Sequence, residues 1–395
     1  MANNNWLHPA WTAVAQVWQG TITTTTDTHT YSVTLTDDNG DTATITYTVT
    51  NPPDTTTTLV ATGFITAWNA STHPLVQQIT ATQSAGVVIL TADTAGVPFT
   101  ASTGGTGTWS GTGNTTANVG NNDAGLDQNW SQDDAPDTGD DLIFEPGSVS
   151  LKYGLNISSI ALTDFKVLKG MTGDFGRFEF GQYHYFRIDP DSFDFRGGGA
   201  MSLFDIGTAA IDIYVEGYGS AQTIGRWPFA IKGSAIATAT FAKGTCAIAP
   251  FDADTATVTT AVCGLLENPQ SDVDLTIGSG VTLTTLNVAA GKCTLKCAGT
   301  TVNVYKGGIC TTEGTGAITT VNVYEGATFY PKSTGTITTL NVWGTVDFTR
   351  NLAAKTVSTL ALKKGGKVTK HDAITITTFT PPSSSGGSYD ILTAA

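Results

Sequence analysis

The sequence predicts a mainly β protein: a small N-terminal α+β domain (β-β-α-β-β) followed by a parallel β-helix (solenoid) of roughly 19-residue coils. Three observations predict it. First, a phrase recurs as Thr285-Leu286-Asn287-Val288, Thr301-Val302-Asn303-Val304, Thr320-Val321-Asn322-Val323, Thr339-Leu340-Asn341-Val342 and Thr359-Leu360-Ala361-Leu362, at steps of 16, 19, 19 and 20 residues. A β unit that short buries no core alone; stacked copies bury a continuous one. Second, only 13% of residues are charged, against roughly 25% in an average globular protein. With 40% hydrophobic residues the chain is too apolar for disorder. Third, 44 glycines punctuate short threonine-rich runs that alternate in polarity, and threonine suits a pleated surface.

Taken in order, residues 1–19 carry Trp6, Trp11 and Trp18 with no Asp, Glu, Lys or Arg. This stretch reads either as an arm that docks on a partner or as a first segment packing on its own domain. Residues 20–103 hold the α+β pattern. Tyr31–Thr36 and Ala43–Val49 alternate as strands around the turn signal Asp38-Asn39-Gly40-Asp41. Asn51-Pro52-Pro53-Asp54 ends the second strand and can cap a helix over 55–70, where Leu59/Val60, Phe64 and Trp68 share a face. Ile79–Thr82 and Val87–Ala92 follow as strands. Residues 104–128, rich in Gly, Thr and Asn, read as a linker.

The hairpin, Ala67–Ser71 and Ile79–Ser102 resemble small domains of tailed-bacteriophage virion proteins. Asn129-Trp130-Ser131 with Pro136, Gly139-Asp140-Asp141 and Ile143-Phe144 resembles the first coil of β-helical surface and phage proteins. Its physical role would be a cap over an open sheet edge. The β-helix is expected over 129–380, with ~12 coils and a length of ~55–60 Å, and 381–395 as a tail. The resemblance implies a trimeric virion component that decorates or stabilises a capsid, with a major capsid protein or another virion protein as partner.

Period-two alternation sorts the repeat. Leu286/Val288 and their equivalents point inward. Outward lie a Thr column (285, 301, 320, 339, 359), an Asn column (287, 303, 322, 341) and an aromatic column, Tyr305, Tyr324 and Trp343. The aromatic column has two readings: packing against another subunit or domain, or a stacking platform for a host surface polysaccharide.

Chemistry is scarce. Asp189, Asp191 and Asp194, with Glu179 and His184 upstream, form a possible carboxylate cluster, read as a solvated turn. The regular coils add only Glu313, Glu325, Asp347 and Asp372, at unrelated repeat positions. Asp133, Asp137 and Asp140, near Asp134 and Asp141, are weak calcium candidates. Cys293 and Cys297 alternate with lysines, so they read as buried fillers, not ligands. No cofactor motif occurs. A net charge of −14 without a basic run argues against nucleic acid, and no apolar run is long enough for a membrane helix. Residues 1–19 lack a basic n-region and an apolar h-region, so folding in a host cytoplasm is expected. Together these readings favour a non-enzymatic virion protein, with a tail-spike receptor-binding protein or glycan depolymerase as the alternative.

Overall fold

A tryptophan near the start of strand Val17–Ile22 organises the N-terminal domain. Strict alternation turns Trp18 and Ile22 inward. The strand lies between Val87–Ala92 and Trp109–Thr116 in an antiparallel sheet completed by Ile79–Ser84. A second sheet pairs Thr30–Thr36 with Thr42–Thr48 and Thr100–Gly104. The helix Thr57–Asn69 starts at Thr56, whose hydroxyl accepts from the Leu59 amide. It buries Val60, Ala61, Phe64 and Trp68, and the Trp68 indole donates to Ile79 O at 3.0 Å. Trp109 meets Tyr31 and Phe64 edge-on, at 5.3 and 5.7 Å. The computed structural model describes residues 3–7, 11–37, 40–207, 211–217, 227–268, 271–382 and 390–393. The turn residues Asp38 and Asn39, Ala210, and the tail residues 383–389 lie outside these.

The domain is larger than the sequence suggested. Val17–Ile22, whose first three residues were assigned to the arm, and Trp109–Thr116, assigned to the linker, are both strands of its sheet. The reason is packing: Trp18 and Trp109 fill the space over the helix, and neither belongs to a run that alternates long enough to announce a strand. Asp54 does not cap the helix. It is buried and accepts from the Tyr47 hydroxyl at 2.7 Å and the Thr50 amide at 2.8 Å. Burial, then that hydrogen bond and the charge of Asp54, pushes the Tyr47 phenol up to about 12.

Among the described residues, most of the remaining chain forms one long sheet of about 21 strands. Every pairing within it is parallel, and in its regular part each strand pairs with the second strand after it. One series runs Ala256–Cys263, Val281–Val288, Gly299–Val304, Ile318–Val323, Ile337–Val342, Lys355–Leu362 and Ile374–Thr380. The other runs Val273–Ile277, Gly291–Leu295, Gly308–Thr312, Thr328–Pro331, Thr345–Asp347, Lys367–Lys370 and Asp390–Thr393. The two series face one hydrophobic core. The recurrent phrases lie opposite one another residue for residue, Thr301↔Thr320↔Thr339↔Thr359 among them. Leu286, Val288, Val302, Val304, Val321, Val323, Leu340, Val342, Leu360 and Leu362 are all buried, as the alternation requires.

At the N-terminal end an aromatic cluster covers the core. Trp6 and Trp130 pack edge-on at 5.0 Å, with Phe144 beneath both. Strand Asn3–Asn5 pairs with Asp141–Phe144, and the Trp130 indole donates to Ala124 O at 2.8 Å. Residues 124–128, read as linker, therefore belong to this cap together with Trp130.

Candidate functional site

Parallel register with no offset forces each outward side chain to meet its own kind one strand away. The asparagine column becomes a hydrogen-bonded ladder. Asn303 Nδ2 donates to Asn287 Oδ1 at 2.9 Å, Asn322 to Asn303 at 2.8 Å and Asn341 to Asn322 at 2.9 Å. An amide can do this because it carries donor and acceptor together. The ladder stops where its register neighbours become Val262 and Ala361.

The aromatic column stacks in the same way. Tyr305 and Tyr324 lie 4.9 Å apart at 5°, and Tyr324 and Trp343 lie 5.4 Å apart at 13°. Lys363 Nζ sits 5.6 Å from the Trp343 ring. The rings are half-buried, and burial pushes the Tyr305 phenol upward. Gly307 and Gly326 turn the chain after this column at φ +87° and +75°, where a side chain would be strained. This geometry bears on the two readings of the column. Rings stacked on each other present mainly edges to solvent, whereas sugar stacking needs an open face. Beside them runs a shallow groove of about 540 Å³ lined by Leu266, Ala289, Lys306 and Glu325.

A third column, not legible in the sequence, is charged. Arg187, Asp205 and Lys232 are register partners on successive parallel strands. Arg187 Nε lies 3.8 Å and Lys232 Nζ 3.9 Å from Asp205 Oδ2. Lys232 also reaches Asp254 Oδ1 at 3.3 Å and lies 4.2 Å over the Tyr185 ring. The Tyr185 hydroxyl donates to the other oxygen of Asp254. Burial, reinforced by Asp254, drives the Tyr185 phenol strongly upward. Burial also raises the Asp205 carboxyl, although Lys232 and Arg187 oppose it. These residues sit at irregular sequence intervals, so only the register brings them together.

The other candidates disperse. Trp6 and Trp18 are buried inside the chain and are no surface for a partner; Trp11 is 47% exposed, its amide held by Asn121 Oδ1 at 3.0 Å. Asp189, Asp191 and Asp194 are not in a turn: they lie on strand Phe186–Phe195, whose alternation buries Ile188, Pro190, Phe193 and Phe195. Asp194 pairs with Arg196 at 2.9 Å, and Glu179 with Arg177 at 2.9 Å. His184 is buried 4.0 Å from Asp37 of the N-terminal domain. Asp133 and Asp137 are exposed, while Asp140 accepts from the Asp137 amide at 3.0 Å and also faces Asn4. Among the described residues no group of three or more His, Cys, Asp or Glu is placed to hold a metal. The calcium candidates do not converge: Asp133 and Asp137 face solvent, and the Asp140 carboxylate is used within its own loop.

All five cysteines are buried free thiols, as alternation implied for Cys293 and Cys297. Burial pushes the Cys297 thiol up to about 12. Sequence reasoning also missed Lys355, which is buried. Its Nζ donates to Ser333 O at 2.6 Å, Ser333 Oγ at 3.1 Å and Pro331 O at 3.4 Å. Burial brings its pKa down to about 8. Among the described residues no helix is long and apolar enough to cross a membrane. No protein-family model, curated protein or solved structure matches the chain.

Proposed function

We propose that the chain is a non-catalytic structural component of a tailed-bacteriophage particle, a capsid decoration or head-fibre protein. In this reading the long sheet is a parallel β-helix, and its stiffness is the property used. The observation that carries the reading is the like-on-like register of threonine, asparagine and aromatic columns along successive strands. Such a face is uncharged, rigid and regular, and it suits packing of extended surfaces better than turnover of a substrate. The resemblance of Ile79–Ser102 and of the Trp130 cap to virion proteins supports the same reading. The half-buried aromatic column is the contact between copies, in a homotrimer, and exposed Trp11 is the docking residue toward a major capsid or other virion protein.

The test is made on particles of the phage that encodes the chain. Quantitative mass spectrometry and electron microscopy should place hundreds of copies on the head. A few copies at the tail would replace decoration with the tail-spike receptor-binding reading, and absence from particles would reject both. Light scattering of the purified chain should give a trimer that Tyr324→Ala weakens.

A further inference from the structure

We propose that the turns carrying Tyr305, Tyr324 and Trp343 in one copy of the chain meet the turns carrying Glu313, Lys332 and Leu352 in the next copy, at the same height along the stack of strands, and that three copies close a ring. This rests on the homotrimer proposed above and names the surface that covers the aromatic column.

The two strand series alternate along the chain, so two sets of turns join them. Turns leaving the first series carry the aromatic column. Turns leaving the second series lie at the far end of the same strands. Gly308–Thr312 runs from Lys306 to Glu313, Thr328–Pro331 from Glu325 to Lys332, and Thr345–Asp347 from Trp343 to Arg350 and Leu352. Lys306 and Glu325 are exposed beside the rings. Glu313 and Lys332 are partly exposed and 3.8 Å apart. Charge thus alternates within each set, and each set satisfies that alone. The two sets alternate in opposite phase: Lys306 stands level with Glu313, and Glu325 with Lys332. The ends of a five-residue strand lie about 16 Å apart, beyond the screening length of about 8 Å at physiological salt. Attraction within one chain therefore does not set the phase, whereas a neighbouring copy at the same height would.

Apolar surface marks the same contact independently. Leu352 is 70% exposed, the most of any large hydrophobic side chain among the described residues. It stands level with Trp343, the largest ring of the column, and a leucine and a half-buried ring cover each other. Arg350 is already paired with Asp347 at 3.6 Å and lies over the Tyr330 ring. One strand further on, Lys363 and Lys364 stand level with Asp372, with Lys370 half-buried beside it. One strand earlier, Lys292 and Lys296 share a sign, and the contact stops short of them.

Symmetry selects unlike surfaces. Aromatic turns meeting themselves about a two-fold axis along the stack would set Lys306 on Lys306 and Glu325 on Glu325. A perpendicular two-fold axis through Tyr324 would again oppose the two Glu325 carboxylates. Like charges face to face are costly. Unlike surfaces at one height avoid this, and they close a ring when the second strand series faces the common axis, because both sets of turns bound that face.

The test co-expresses two full chains, one Lys306→Cys and one Glu313→Cys, and maps disulfides by mass spectrometry after mild oxidation. Each chain carries one substitution, so a 306–313 link joins two copies; it should form, and a 306–306 link should not. In sedimentation at low salt Glu325→Lys should weaken assembly about tenfold, and adding Lys332→Glu should restore most of it. A trimer with no 306–313 link and no restoration overturns this pairing and leaves the trimer standing. A chain that is monomeric at every concentration overturns both. A 306–306 link, a two-fold dimer or an open filament overturns the ring of unlike surfaces.

Discussion

The stretch from Asp141 to Ile248 and the stretch from Ala256 to Thr380 use the same parallel pairing but fill it differently. The first packs its interior with phenylalanines, Phe144, Phe165, Phe175, Phe186, Phe193, Phe195, Phe204, Phe229 and Phe241, and displays charges outside. The second packs mostly Val, Leu, Ile and Cys, and displays Thr, Asn and aromatic columns. The difference follows from the register. A repeated phrase places identical residues one strand apart, so a repeated charge would repel itself along the whole column. Repetition is therefore compatible only with uncharged outer faces, whereas charges survive where neighbours differ, as in Arg187–Asp205–Lys232. The regular half is legible in the sequence for the same reason that it lacks carboxylate pairs.

The largest effect should come from breaking the aromatic interior. Phe204 lies between 5.1 and 6.3 Å from the rings of Phe165, Phe175, Phe186, Phe193, Phe195 and Phe229. Removing it leaves a cavity that six aromatic neighbours cannot fill without leaving their rotamers. Phe204→Ala should cost about 4 kcal/mol and Leu340→Ala in the regular half about 3 kcal/mol. Urea unfolding followed by tryptophan fluorescence reads both. A smaller loss for Phe204 than for Leu340 would mean that the irregular half is the more loosely packed one.

Next comes Lys355, a buried lysine in the regular half. Lys355 titrates near 8 in the folded chain because burial disfavours its ammonium, against about 10.4 when unfolded. Below pH 8 it is charged in both states and the burial penalty is fully present. Above about 10.4 it is neutral in both and the penalty has gone. In between the unfolded chain holds more protons, so stability attributable to this residue rises with pH, by at most about 3 kcal/mol. Measured as the difference between the parent and Lys355→Met, which removes the titration, this rise should appear between pH 8 and 10. A flat difference would show that the three oxygens around Nζ hold the charge without penalty.

How far the fold and the site could be read depended on whether local sequence carried the relevant physics. The inward columns at 286/288 through 360/362 follow from alternation alone, and so do the buried Cys293 and Cys297. The strands Val17–Ile22 and Trp109–Thr116 did not, because their place depends on Trp18 and Trp109 meeting over a helix from elsewhere in the chain. Asp189 to Asp194 looked like a turn because a proline sits among acids, yet Pro190 is buried opposite Leu162. The charged column escaped notice because its members share a register and no sequence period. The outer asparagines could be placed in a column from sequence, but their hydrogen bonds needed the absence of any offset between strands.

Breaking the asparagine ladder in its middle isolates the contribution of that register. Asn322 donates to Asn303 and accepts from Asn341 at 2.8 and 2.9 Å. Asn322→Ala removes both bonds and leaves Asn341 Nδ2 without its acceptor, which should cost about 1–2 kcal/mol. Asn287→Ala, at the end of the ladder, breaks one bond and should cost about half as much. Equal losses at the two positions would indicate that the ladder acts through packing rather than through hydrogen bonds.

The smallest effect tests the rule that repetition excludes charge. Asn303 and Asn322 are register partners with amides in contact. Either Asn303→Asp or Asn322→Asp alone puts one carboxylate beside amide neighbours that can still donate to it. Both together put two carboxylates one strand apart on a half-buried face. The double variant should be less stable than the sum of the single losses by about 1 kcal/mol at low salt. Adding salt should shrink that excess, because the Debye length falls to about 3 Å at 1 M. The complementary double variant, Asn303→Asp with Asn322→Lys, should reverse the sign of the coupling, as alternating charge does in Arg187–Asp205–Lys232. If the like-charged pair shows no excess at low salt, electrostatics does not keep charge out of the repeats, and the contrast between the two halves must rest on their interiors alone.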